Sequence, residues 1–179
     1  MIVVGILAPG STASLVEIAK RAAAAEARTE VVGVAPPGSA GDRQLAELAT
    51  ARVGHATVIR SAASGIEVAD LDLALRYLPE VRVIALVAPG AALLAAALAA
   101  SSWSGASLIV VGPLDAGAAA AIGAAAPGPG APIVLDPPAR DPDGAFAGVV
   151  AALAVRLDAG EDPALAWRST VAALAIDPA

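Results

Sequence analysis

The chain contains no cysteine, which excludes disulfides and thiolate-held metals. Aromatic residues are nearly absent: Tyr77, Trp103, Phe146 and Trp167 are all there are among 179 residues, too few to form a platform on which nucleobases stack. Cations are scarce as well. There is one lysine, Lys20, the arginines are scattered, and the formal net charge is −6. Binding to nucleic acid draws on a basic stripe that releases counterions, so no nucleic-acid partner is expected. Long unbroken hydrophobic runs are also missing, although hydrophobic residues make up 58% of the chain and the mean hydropathy is +0.74. The most apolar stretch, 91–103, is mostly alanine, follows Pro89-Gly90 and closes on Ser101-Ser102. A bilayer span needs about 20 strongly apolar residues. The stretch 116–135 is interrupted by Pro127, Gly128, Pro129 and Gly130. Residues 1–7 carry no basic segment, and Pro9-Gly10 cuts the first apolar run short, unlike a secretory leader. A cytoplasmic protein with no membrane partner is the expectation.

What remains is an alternation of short β-branched runs and alanine-rich stretches. Strands are predicted at 2–7, 30–34, 56–60, 81–87, 107–111 and 132–135. Several are continuous apolar runs, the pattern of parallel strands covered on both faces. Helices are predicted at 12–26, 42–53, 70–77, 91–101, 114–125, 144–157 and 163–176, because alanine favours helix almost everywhere. Strands alternating with helices imply βαβ units and a mostly parallel sheet. The length is that of about one domain, and no linker divides it.

Nearly every predicted strand ends on a proline turn: Ala8-Pro9-Gly10, Ala35-Pro36-Pro37-Gly38, Ala88-Pro89-Gly90, Gly112-Pro113 and Asp136-Pro137-Pro138. Proline cannot donate to a strand ladder. These turns should therefore share the carboxyl edge of the sheet, where open α/β folds bind ligands. The run Gly5-Ile6-Leu7-Ala8-Pro9-Gly10-Ser11-Thr12 has the glycine spacing of a P-loop but carries Ser11 where the lysine belongs. Its plainer reading is a glycine turn with Ser11 or Thr12 capping the first helix. Gly10, Ser11 and Thr12 are the local candidates for holding a small anion. His55 lies just before a predicted strand with no partner at metal or triad spacing, and reads as an ordinary loop residue. Asp70-Leu71-Asp72 and Glu161-Asp162-Pro163 read as helix starts.

The run Asp141-Pro142-Asp143-Gly144-Ala145-Phe146-Ala147-Gly148, followed by an Ala/Leu/Val helix, resembles the Gly-Ala-Gly-Asp-x-Phe-x-Gly signature of the ribokinase (PfkB) sugar kinases. Phe146 and Gly148 match, while the place of the family's catalytic aspartate holds Gly144. Gly10-Ser11-Thr12, the Val31-Val32-Gly33-Val34 run and the Gly41-Asp42-Arg43 helix resemble the family's early segments. The segment from Ala164 to Ala175 is similar to its last helices, with Trp167 at an aromatic position. The resemblance implies a three-layer ribokinase-like α/β core. It departs from the family in being short, in lacking the β-rich lid after the first strand and the sugar-holding Gly-Gly and Asn, and in having Gly112-Pro113-Leu114-Asp115 instead of the magnesium-linked Asn-x-x-Glu.

In the signature itself, Ala145, Phe146 and Gly148 are expected to pack a helix onto the sheet. The altered part, Asp141 to Gly144, is the part that would touch phosphate. A helix start binds phosphate through free backbone N–H groups and its positive dipole end. Pro142 removes one donor, and Asp141 and Asp143 put negative charge in the anion's place, so both are expected to serve as cap and first-turn residues. Gly144 and the Gly10–Thr12 turn are the candidate ligand-binding positions. If phosphoryl transfer survives, Asp143 is the candidate base, with Asp136 behind it, and ATP and magnesium are the implied cofactors. Three readings follow: a catalytically degenerate sugar-kinase-like protein binding a small ligand or partner, an active kinase of a sugar or related alcohol, and a homo-oligomeric assembly protein such as a homodimer.

Overall fold

A computed structural model describes residues 1–5, 12–63, 65–78, 80–125, 130–141 and 144–173. Six strands alternate with helices along the chain: β1 (Ile2–Gly5), α1 (Thr12–Ala24), β2 (Thr29–Ala35), α2 (Ser39–Thr50), β3 (Gly54–Arg60), α3 (Val68–Tyr77), β4 (Val83–Val87), α4 (Ala91–Ser104), β5 (Ser107–Val111), α5 (Ala116–Ala124) and β6 (Ile133–Leu135). Two helices, α6 (Ala145–Asp158) and α7 (Pro163–Ala173), close the described chain. All strand pairs are parallel, and the sheet order is β3-β2-β1-β4-β5-β6. This is a three-layer α/β core, as expected from the ribokinase-like reading, and the described strands form one sheet without a second, lid-like one.

Strand alternation explains why both faces fill. Successive side chains point to opposite sides, so Ile2 and Val4 join one core and Met1 and Val3 the other. On the first face Leu15, Ile18 and Ala22 of α1, Leu48 of α2, and Val150, Leu153 and Ala154 of α6 cover the sheet. On the second face the cover comes from Leu71 and Leu75 of α3, Leu94 and Ala97 of α4, and Ala118 of α5. Each fully buried leucine or isoleucine contributes roughly 1.5–3 kcal/mol of apolar transfer. The apolar runs predicted as doubly covered strands are the central ones: β1, β4 and β5 are buried almost throughout.

Several boundaries differ from the sequence reading for local reasons. Helix α2 starts at Ser39, not Asp42, because the chain turns at Gly38 with φ 80° and the first turn packs Gly41 onto the Pro36 carbonyl. Helix α4 runs past Ser101-Ser102 to Ser104. There the Ser104 hydroxyl donates back to Ala100 O at 2.7 Å and Gly105 ends the helix in the left-handed region at φ 72°. Serines that bond back into the helix do not stop it. His55 sits inside β3 instead of before it, with Nδ1 3.0 Å from Val53 O. The start at Glu161-Asp162-Pro163 is as anticipated, whereas α3 begins two residues before Asp70, at Val68, with Glu67 at its cap. Asp70 and Glu67 form a capping box at α3, and Asp162 accepts from Ala164 N–H at 3.0 Å and Leu165 N–H at 3.2 Å at α7. No helix among the described residues is long and apolar enough to cross a membrane.

Candidate functional site

In the order β3-β2-β1-β4-β5-β6 the chain winds outward one way from β1 and then the other way from β4. The connections after β1 and β4 therefore part to opposite faces, which opens a crevice at their carboxyl ends. Because all strands run parallel, the turns after β2, β4, β5 and β6 that begin with Pro36, Pro89, Pro113 and Pro137 share that edge, as the sequence implied. Two backbone features mark it. Ala88, just past β4, has φ 47°, a left-handed conformation unusual for a residue with a Cβ, and its N–H donates to Val111 O at 2.8 Å. Past β5, the Gly112–Pro113 peptide is cis.

Helix α6 covers β1 and β4 on the first face of the sheet. It packs along α1 and touches both β1 and β4. Its last residue, Asp158, pairs at 2.5 Å with the α-amino group of Met1 and accepts through its carbonyl from Arg82 Nη1 at 3.2 Å. Met1 and Arg82 stand at the amino ends of β1 and β4, so the start of α6 points toward the carboxyl edge. Gly144 caps that start in the left-handed region at φ 63°. The chain thereby folds back so that Asp141 lies across the first turn. Its Oδ1 accepts from Ala145 N–H at 2.8 Å and its Oδ2 from Phe146 N–H at 3.1 Å. Two N–H donors of this helix start, those of Ala145 and Phe146, are occupied by the chain's own carboxylate, the capping role expected of Asp141.

The other half of the run behaves differently from the sequence expectation. Ala147, not Ala145, is the buried position; Ala145 is exposed and Phe146 is half-buried against the core of that face. Gly148 does not meet the sheet. A Cβ there would come within 3.3 Å of Arg21 Nη1, and one on Gly144 within 3.7 Å of Nη2. Arg21, on α1, thus lays its guanidinium along the first turn of α6, a neighbour that no motif in the sequence indicates. Glu17 lies 3.9 Å from Arg21 Nε and accepts from Lys20 Nζ at 2.7 Å. Glu47 of α2 also accepts from Lys20, at 2.9 Å. Bonds to Glu17 first and Glu47 second raise the Lys20 pKa above the ordinary 10.5.

Of the positions proposed from sequence, Gly144 is in place at this edge, and Thr12 opens α1. Gly10, Ser11 and Asp143 lie outside the described residues. Asp136, the second candidate base, is exposed at the end of β6, and a Cβ on Gly112 would come within 2.5 Å of its Oδ1. It stands two strands from β4, roughly 10 Å at ordinary strand spacing, so it belongs to the β5–β6 end of the edge and not to the crevice. The described residues contain no group of three His, Asp or Glu side chains able to hold a metal ion.

Comparison with known proteins adds the fold and no more. No protein family matches the chain, and no curated protein matches it. Among solved structures it is similar to the crystal structure of a protein called Sa239, with a TM-score of 0.63 at 12% identity over 93% of this chain and 82% of that one. A fructokinase with bound ATP from Xylella fastidiosa gives a TM-score of 0.48 at 10% identity over 88% of this chain. This chain spans 57% of that fructokinase.

Proposed function

We propose that the protein binds a small ligand at the carboxyl edge of its sheet, in the crevice between β1 and β4, and does so without transferring phosphoryl groups. The observation that carries this reading is the pair of hydrogen bonds from Ala145 and Phe146 N–H to the Asp141 carboxylate. A kinase of the ribokinase type needs such donors free for phosphate. Here they are satisfied internally, and a fixed negative charge stands where a second anion would have to come. All described strands lie in a single sheet, so among the described residues no second sheet covers the carboxyl edge. The crevice supports a binding role by its position at the topological switch point. The resemblance of the Asp141–Gly148 run to the sugar-kinase signature makes a sugar or related polyol the first ligand class to try.

Thermal unfolding with ATP, ADP, magnesium and a panel of sugars and polyols tests this. A ligand at 100 times its dissociation constant adds about 2.7 kcal/mol of stability. Stabilisation by a small polyol with no ATP consumed is the expected result. Consumption of ATP with any sugar would overturn the reading in favour of an active kinase using ATP and magnesium with Asp143 as base.

A further inference from the structure

The two edges of the described sheet, β3 and β6, differ in length. β6 has three residues, Ile133–Leu135, a length that offers little to pair with. β3 has seven, Gly54–Arg60. An edge strand of that length presents a row of backbone N–H and C=O groups that another chain can pair with unless something interrupts it.

β3 is interrupted. Glu30 of β2 pairs with Gly54 and Val32 with Thr57, so Val31 alone stands opposite both His55 and Ala56, a bulge on β3. Three contacts hold it. Ala56 N–H donates to Glu30 Oε1 at 2.8 Å. The other carboxylate oxygen, Oε2, fills the space that a Cβ on Gly54 would occupy. Beyond the bulge the Thr57 hydroxyl donates to Val31 O at 3.0 Å. The bulge decides which way the rest of the strand faces. Paired residues share a face, so Val58, beside Gly33, packs on the core of the first face, and Ile59, beside Val34, turns to the second. Without the extra residue Val58 would stand beside Val34 and leave its core, because a one-residue slip turns every side chain over. At the far end of β3 the exposed Arg60 reaches Asp42 Oδ1 of α2 at 2.6 Å, which puts a charged side chain on the edge.

We propose that Glu30 is a clasp: its carboxylate holds the bulge of β3 and so keeps the longer open edge of the sheet from pairing with another chain. Bulges and edge charges are the means by which natural sheets block edge-to-edge association. β3 carries one at each end, and only the short run between them is left as a regular edge. The clasp also accounts for Gly54, since any side chain there would displace the carboxylate.

Amide hydrogen exchange followed by NMR, and light scattering on warming, test the proposal on the full chain as wild type, Glu30→Ala and Glu30→Gln. Glu30→Gln removes the same charge but keeps an acceptor oxygen. In Glu30→Ala the Ala56 N–H is expected to exchange at least about tenfold faster, while Ile84 N–H of the central strand β4 changes less. Glu30→Gln should stay near wild type at both. On warming, Glu30→Ala is expected to self-associate further below its own Tm than wild type or Glu30→Gln does. Leu153→Ala, destabilised on α6, should behave in this respect like wild type. Ala56 exchange indifferent to loss of the carboxylate would overturn the clasp. Faster exchange without added association, or equal association of Leu153→Ala, would overturn its guarding of the edge.

Discussion

Replacing Asp141 by alanine removes two acceptors from the start of α6 and leaves the backbone bond from Gly144 N–H to Asp141 O in place. Loss of a helix cap costs about 1 kcal/mol. Loss of a negative charge at the positive end of the helix dipole adds about 0.3–1 kcal/mol at an exposed position. The expected sum is about 1.5 kcal/mol, because Asp141 is exposed and water replaces part of what it supplies. For a chain of this size, 1 kcal/mol corresponds to roughly 2–4 °C in Tm, so Asp141→Ala should melt some 3–6 °C lower, as a rough estimate on the same scale. Asp141→Asn keeps an acceptor oxygen but neither the second oxygen nor the charge, and should fall between the two. Urea unfolding followed by far-ultraviolet circular dichroism gives the free energies directly. If Asp141→Ala unfolds at the same urea concentration as wild type, the carboxylate does not cap α6, and the argument that the phosphate donors are internally satisfied fails with it.

Three further outcomes follow from particular contacts. Gly41→Ala should be destabilising by about 1–3 kcal/mol by urea unfolding, since its new Cβ runs into the Pro36 carbonyl, a backbone atom that cannot swing away; Gly148→Ala, which meets only the movable end of Arg21, should cost clearly less. Leu153→Ala, fully buried in α6, should cost about 2–5 kcal/mol in the same assay, and a smaller loss would mean that the α1–α6 layer collapses around the cavity. Lys20→Met tests the α1–α2 ion pairs. The folded Lys20 pKa lies above 10.5, so its stabilisation is fully present below that pH and is lost as pH rises through the folded value. The variant should be slightly less stable than wild type at pH 7, by about 0.5 kcal/mol for an exposed pair, and equal to it at strongly alkaline pH. A gap that widens with pH would contradict the assignment.

The start of α6 shows where reading the residues succeeds and where it stops. Acidic residues before an alanine-rich run announce a helix start, and Asp141 does cap one. Spacing alone did not reveal that the cap reaches from four and five residues back, because that reach depends on Gly144 turning into the left-handed region. Arg21 is more than a hundred residues away in the chain, so its place along the same turn emerges only when α1 and α6 pack together. The Ser101-Ser102 pair was misleading for the opposite reason: serine weakens helices on average, but here the Ser101 hydroxyl donates forward to Ala106 O and the Ser104 hydroxyl back to Ala100 O, and α4 continues to the glycine that ends it.

Local chemistry was enough to establish the class of this protein: apolar runs too continuous for one-sided strands, alanine-rich stretches between them, and prolines closing most of the strands. Those features depend on neighbours in the chain, and a strand buried on both faces looks the same wherever it sits in a sheet. Strand order has no such signature. Placing β1 beside β4, and so opening a crevice between them, depends on which helix crosses which face, a matter of packing between segments far apart in sequence. The Asp141–Gly148 run was likewise readable as a helix start, but only the packed structure put Asp141 on the N–H groups of Ala145 and Phe146 and Arg21 alongside them.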